Sequence, residues 1–207
     1  MTSIAQRERQ ALCRLFGEVG PLSPTLCEGW TTSDLVAHLF VRERRPLEAP
    51  GILVPALGRL TERAMESAKR RYGYAGLVAR VRSGPPPPFS LVDAQMNLFE
   101  YFVHHEDVRR AADEWEPRND TALDTALWSK LRIGGRLLAR RLRGAGLELE
   151  APGFGTAVVK VGDPRAIISG GPQELAMFLA GRQAAARLEI GGPDSARGVI
   201  EEAPFGL

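Results

Sequence analysis

The segment Asp93–Asp107, DAQMNLFEYFVHHED, concentrates the residue types able to do chemistry. Wound as a helix at about 100° per residue, it gathers Asp93, Asn97, Glu100, His104 and Asp107 into one stripe roughly 80° wide. Val92, Met96, Phe99 and Val103 border that stripe on one side, and Ala94, Tyr101 and Val108 on the other. A solvated polar face has its apolar stripe opposite it, so this face is expected to look into the interior or a cleft. Buried carboxylates and imidazoles need partners, because an isolated buried charge is costly. A divalent cation would satisfy the group. Glu100 and His104 stand at i, i+4, which brings both side chains out one turn apart on one face. Both can then reach one ion at about 2.0–2.2 Å. His105 points about 100° away, and a structural role near the edge of a bundle is expected for it.

A third donor has to come from elsewhere, and the other histidine is His38, in TTSDLVAHLF, bordered by Leu35, Leu39 and Val41. Spacing alone leaves two readings of His38, a metal ligand or a core histidine satisfied by a carboxylate. Asp107, one turn beyond His104, fits either an acceptor that orients the imidazole or a surface partner of Arg109 or Arg110. Asp34 lies one turn before His38 and could orient that ring, but its spacing from Thr31 is that of a capping box, which is the simpler reading. Arg42 and Arg45 share the His38 face and could receive a substrate carboxylate; solvated arginines near a helix C-terminus are the plainer account. Cys13 and Cys27 form neither a metal motif nor a disulfide framework, and both are expected to be buried, inert thiols. Trp30 precedes the capped helix and is expected to anchor it by packing.

These residues need helices to hold them. Residues 3–18 carry Ile4, Leu12, Leu15 and Phe16 among charges, an amphipathic pattern. After the turn-rich GPLSPTLCEGW, a helix capped at Thr31 is expected to run to about Arg45, before Pro46. Further helices are expected over about 53–72, 75–83, 91–112 (capped by Ser90) and 121–143, with Pro85–Pro88 as an extended connector. Beyond Gly144, LELEA, TAVVKV and RAIIS read as short strands separated by Gly/Pro turns. PQELAMFLAGRQAA then reads as one helix with Pro172 in its first turn, and ARLEI as a last strand. The expected organisation is a helical bundle over 1–144 and a small α+β domain over 145–207.

The 207 residues are 44% hydrophobic and 25% charged, ordinary for a globular protein. A net charge of +2 supplies no field for nucleic acid or membrane. The Arg pairs 70–71, 109–110 and 140–141 lack interleaved aromatics and read as solvated faces. No stretch approaches the roughly 20 apolar residues of a membrane span, and the N-terminus lacks an apolar signal core. A cytoplasmic location is expected.

The pattern CEGW-T-x-x-DLVAHL, followed about sixty residues later by E-x-x-x-H-x-x-D, resembles the DinB-like superfamily. Within it, the chain is similar to the actinobacterial branch related to mycothiol-dependent maleylpyruvate isomerase. ISGGPQELAMFLAGR is similar to the small second domain of that branch. The resemblance implies a mainly α fold, a four-helix bundle with a small C-terminal α+β domain. It also implies a His, Glu, His metal site, which by matching position is His38, Glu100 and His104. Arg182 of LAGR belongs to a motif typical of that branch's second domain, and either reaches toward the metal cleft to bind substrate or serves the packing of its helix. Zinc is the first expectation for the ion, and the ligand set also tolerates nickel, iron or manganese. Three ligands leave the ion open for ligand exchange, and the resemblance implies mycothiol as cosubstrate. The expected partners are therefore a small-molecule thiol and an electrophilic substrate, with a homodimer as the candidate assembly and neither nucleic acid nor membrane. Metal-assisted hydrolysis and a non-catalytic, metal-stabilised binding module stay open as alternatives.

Overall fold

The computed structural model describes residues 2–45, 47–48, 58–86 and 97–206. Among the described residues the chain is mainly α, with seven α-helices and one four-stranded sheet confined to its C-terminal part. It divides into two compact units, Met1–Glu116 and Pro117–Leu207.

Among its described residues, the first unit has four helices. Helix α1 (Ile4–Val19) starts at a reciprocal cap, in which Gln6 N–H donates to Ser3 Oγ at 3.1 Å and Ser3 N–H to Gln6 Oε1 at 3.0 Å. Helix α2 (Thr32–Arg44) starts where expected, with Asp34 Oδ2 accepting from the Thr31 N–H at 2.9 Å and from its hydroxyl at 2.7 Å. Helix α3 (Gly58–Arg82) is interrupted at Gly73, whose φ of 61° and ψ of 172° are not helical. A side chain would strain that backbone, and the sequence pattern divides into two segments at the same place. Helix α4 (Leu98–Arg109) follows Asn97. The expected cap at Ser90, the helical start at 91, Asp93 and the second half of the proline run lie outside the described residues.

Helices α1, α2 and α3 enclose an apolar core with one face of α4: Leu12, Phe16, Leu35, Leu39, Leu77 and Tyr101 are at most 1% exposed. Helix α4 departs from a surface helix altogether. Nine of its twelve residues are buried, from Leu98 round to Asp107 and Val108, so its polar residues have to be satisfied inside the protein.

The second unit opens with α5 (Thr121–Leu138), capped by Asp120 Oδ1 on the Leu123 N–H at 2.9 Å. Strands β1 (Gly146–Ala151), β2 (Gly155–Lys160), β3 (Arg165–Ser169) and β4 (Glu189–Gly191) form a sheet in the order β2-β1-β3-β4. Only the β1–β3 pair is parallel. Leu147, Leu149, Ala166 and Ile168 are fully buried, and the residues between them face outward, the period-two pattern of a half-covered sheet. Helix α6 (Pro172–Leu179) ends earlier than expected and is followed by a separate 3₁₀ turn, Gln183–Ala185. A last helix, α7 (Asp194–Glu202), has no counterpart in the sequence expectations; its inward signal is limited to Ala196 and Ile200.

The division at 116/117 differs from the expected boundary at 144. Helix α5, expected to complete the bundle, packs instead on β2 and α6. The contact is close at Gly135, where an added Cβ would lie 2.6 Å from Val159 Cγ1. Its amphipathic pattern specifies a buried face without specifying what buries it. Among the described residues, no helix is long and apolar enough to cross a membrane.

Candidate metal centre

Helices α2 and α4 bring together the three residues singled out in the sequence. His38 Nε2 lies 3.8 Å from Glu100 Oε1, and His104 Nε2 lies 3.3 Å from the same oxygen. The two imidazoles are 5.2 Å apart, centre to centre, at 73° to one another. One donor atom from each residue falls within 4.8 Å of the other two. A tetrahedral ion with bonds of about 2.1 Å holds its ligand atoms ~3.4 Å apart. The two separations bracket that value.

Hydrogen bonding makes the same point. His38 Nε2 is buried and has no hydrogen-bond partner, a cost a folded protein rarely carries without a reason. A metal–nitrogen bond would remove it. The residues present therefore fit a divalent cation in donor type, separation and unmet bonding capacity.

Electrostatics distinguishes the two histidines. Burial pushes His38 below the ordinary imidazole value, and the neighbouring carboxylate of Glu100 does not reverse this. Burial also opposes charge on His104, but its hydrogen bonds to Asp107, Cys27 and Glu100 outweigh that and hold it well above the ordinary value. Burial would raise Glu100; the hydrogen bond from His104, the nearby His38 ring and the positive charges of His104 and Arg42 overcome it and hold the carboxyl well below the usual range. Without an ion, the site is thus a Glu100⁻–His104⁺ pair beside a neutral His38.

Asp107 is fully buried, and its Oδ2 accepts from His104 Nδ1 at 2.9 Å. This orients the ring with Nε2 toward Glu100, and it replaces the alternative of a surface pair with Arg109 or Arg110. Those arginines serve Glu106 instead. Arg110 Nε donates to Glu106 Oε2 at 2.6 Å and Arg109 Nη1 to Oε1 at 2.7 Å. Arg110 is itself buried against the Trp115 ring, which corrects the expectation of a solvated pair. Arg70, Arg71, Arg140 and Arg141 are exposed.

Asp34 does not reach His38. One oxygen caps α2 through Thr31, and the other accepts from Lys69 Nζ at 2.8 Å. The capping reading describes it and the orienting one does not. Arg42 does stand at the site: Nη1 donates to Asn97 Oδ1 at 2.7 Å, and Nε lies 3.4 Å from Glu100 Oε1. Arg45 turns away to Glu48 and the Ala64 carbonyl. His105 is buried rather than at an edge, with Nδ1 3.0 Å from Glu8 Oε2 of α1. Arg182 belongs to the second unit, where Nη1 donates to the Ala180 carbonyl at 2.8 Å.

The cysteines separate. Cys13 is a buried core thiol pushed up to about 11, chiefly by desolvation. Cys27 is only half-buried, and its Sγ lies 3.3 Å from Asp107 Oδ2. Cys27, His104 and Asp107 form a second group of possible ligand atoms within 4.8 Å of one another. The expectation of an inert thiol missed this, since a cysteine in a turn carries no periodicity to say what it faces.

No family model matches the chain, and no curated protein matches it. Among solved structures, the chain is similar to a mycothiol-dependent maleylpyruvate isomerase at a TM-score of 0.57 and 16% identity, over 91% of this chain and 90% of that one. A histidine-to-alanine mutant of mycothiol-dependent maleylpyruvate isomerase gives a TM-score of 0.61 at 14% identity, with the same coverage. At these identities the likeness is one of fold, and in fold the chain resembles mycothiol-dependent maleylpyruvate isomerase.

Proposed function

We propose that the chain is a metal-dependent enzyme that uses a small thiol of the mycothiol class to transfer or isomerise an electrophilic substrate, with His38, Glu100 and His104 as the ligands of a zinc ion. The observation that carries the reading is the buried, partnerless Nε2 of His38, facing Glu100 and His104. The thiol enters from the fold likeness, because the two solved structures named above are described as mycothiol-dependent. When bound, a cation lowers the pKa of a coordinated thiol and so supplies a thiolate nucleophile at neutral pH.

The chain's own residues divide the remaining work. Asp107 holds the Nδ1 proton of His104, so that Nε2 is the atom presented. Glu100 supplies negative charge to the cation. Arg42 commits Nη1 to Asn97 and Nε to Glu100. Its remaining Nη2 has no partner among the described residues, and we assign it to an anionic group of the substrate.

The test is the metal content of the purified protein beside His38→Ala, Glu100→Ala and His104→Ala, with conjugation of an electrophile to mycothiol followed in parallel. Near-stoichiometric zinc is expected in the wild type and a large loss in each variant, with turnover lost alongside. Unchanged metal in all three variants removes the ligand assignment. Tight metal binding with no thiol-dependent turnover keeps the site and removes the enzyme.

A further inference from the structure

The turn Thr25–Trp30 contributes no ligand to the proposed ion, yet it touches both histidines. The Trp30 indole lies 5.3 Å from the His38 ring, centre to centre. Cys27 Sγ donates to Asp107 Oδ2 at 3.3 Å, the same oxygen that His104 Nδ1 approaches at 2.9 Å. The turn is tied to α4 by the Leu26 N–H on the Asp107 carbonyl at 3.0 Å. It is tied to itself by the Cys27 N–H on Thr25 Oγ1 at 3.2 Å, Thr25 Oγ1 on the Trp30 carbonyl at 3.0 Å, and the Trp30 N–H on the Cys27 carbonyl at 2.9 Å. Cys27 is thus held in place by backbone on either side of its thiol.

We infer that Cys27 is a positioning residue: its thiol pins Asp107 Oδ2, which in turn fixes the His104 ring with Nε2 directed at Glu100 and the ion. A thiol is a weak donor, but here it meets a fully buried carboxylate oxygen, away from water, where a hydrogen bond is stronger than at the surface. Two donors on one carboxylate oxygen leave Asp107 less freedom to rotate than one. The Asp107 side chain is 0% exposed, so water does not readily replace the thiol there. The same turn packs Trp30 on His38 and thereby steadies the other ring. This inference rests on the proposed ion site for its functional consequence, but its geometry concerns the chain alone.

The experiment compares wild type, Cys27→Ala and Cys27→Ser by two measurements. The first is Zn²⁺ affinity by competition with a chromophoric chelator. The second, on the ion-free protein, is the solvent-exchange rate of the His104 Nδ1 proton by NMR, assigned by its absence in His104→Gln. Loss of an outer partner of a ligating histidine typically weakens metal binding about 10-fold or more. Cys27→Ala is expected to show that loss and a comparably faster proton exchange, while Cys27→Ser, whose hydroxyl still donates, stays near wild type in both. An alanine variant with wild-type exchange and wild-type affinity overturns the inference. If the wild type binds no zinc, the proposed function fails, and the exchange rates alone decide the role of Cys27. Thermal unfolding of the ion-free variants separates a local effect from loss of the fold; should Cys27→Ala not fold, Cys27→Val replaces it with the same expected direction.

Discussion

His38 and His104 both flank Glu100, yet their surroundings push their basicities in opposite directions. The consequence is a pH signature specific to the ion-free protein. His104 is held well above its ordinary 6.5, so its contribution to stability is complete below that value and is lost as pH rises through the folded pKa. His38 is held below 6.5 and Glu100 well below 4.5, so neither changes charge in the alkaline range. Ion-free protein is therefore expected to lose thermal stability from about pH 6.5 upward. An ion needs His104 Nε2 unprotonated, so the zinc-loaded protein should gain stability relative to the ion-free form over that same range. Melting temperatures with chelator and with excess zinc, from pH 6.5 to 9, would check this, and parallel curves would refute it. At this scale the sequence was partly legible. The i, i+4 spacing of Glu100 and His104 survives in the structure, because one helix fixes the geometry of its own residues. His38 sits on a different helix, and its approach to Glu100 needed either the fold or a resemblance to be foreseen. Cys27 reaches Asp107 across 80 positions, a contact no local pattern encodes.

Helix α4 carries two of the three candidate ligands, Glu100 and His104, on a largely buried element. Its polar residues are buried on several sides, each with a partner on a neighbouring element or its own next turn: His105 with Glu8, Glu106 with Arg109 and Arg110, His104 with Asp107. The stripe from Glu100 to Asp107 was readable because apolar residues flank it. The remaining polar positions were not, since Glu8 and Arg9 on α1 look like the charged face of an amphipathic helix until the helix facing them is known. Arg9 is the clearest case. It lies buried with Nη2 2.7 Å from Glu43 Oε1 of α2, and its guanidinium stacks 4.6 Å from the centre of the Tyr101 ring. Tyr101 donates its hydroxyl to Glu43 as well, so three helices meet on one carboxylate. Removing one partner of a buried ion pair leaves the other charge uncompensated, at about 3–5 kcal/mol. Glu43→Ala should destabilise the protein by that order, and Glu43→Gln by less because it keeps hydrogen-bonding capacity. Urea unfolding at neutral pH measures both; a loss under 1 kcal/mol (~0.5, as for a surface pair) for the alanine variant would mean the pair is not structurally important.

For the whole molecule, the sequence indicated a helical part followed by a strand-bearing part, and the structure keeps that order while moving the division to 116/117. The discrepancy concerns α5 alone. Its apolar positions Leu123, Leu127 and Leu131 are buried, but periodicity identifies a face that must be covered and not the partner that covers it. All the residues argued to serve the ion, namely His38, Glu100, His104, Asp107, Cys27 and Arg42, fall within the first unit. A ligand that binds only the folded state stabilises the elements that hold it, and local opening free energies report where that stabilisation goes. Zinc should therefore slow amide exchange in α2, α4 and the turn Thr25–Trp30, which joins them through the Leu26–Asp107 bond. Amides in β1, β2 and β3 should exchange at the same rate with and without the ion. Hydrogen exchange of the intact chain, read by mass spectrometry with zinc and with chelator, resolves these segments. Protection confined to the first unit supports an ion site built by α2 and α4 alone. Protection that also appears across Pro172–Arg182 would show that the second unit responds to the ion, and would make Arg182 the next residue to substitute.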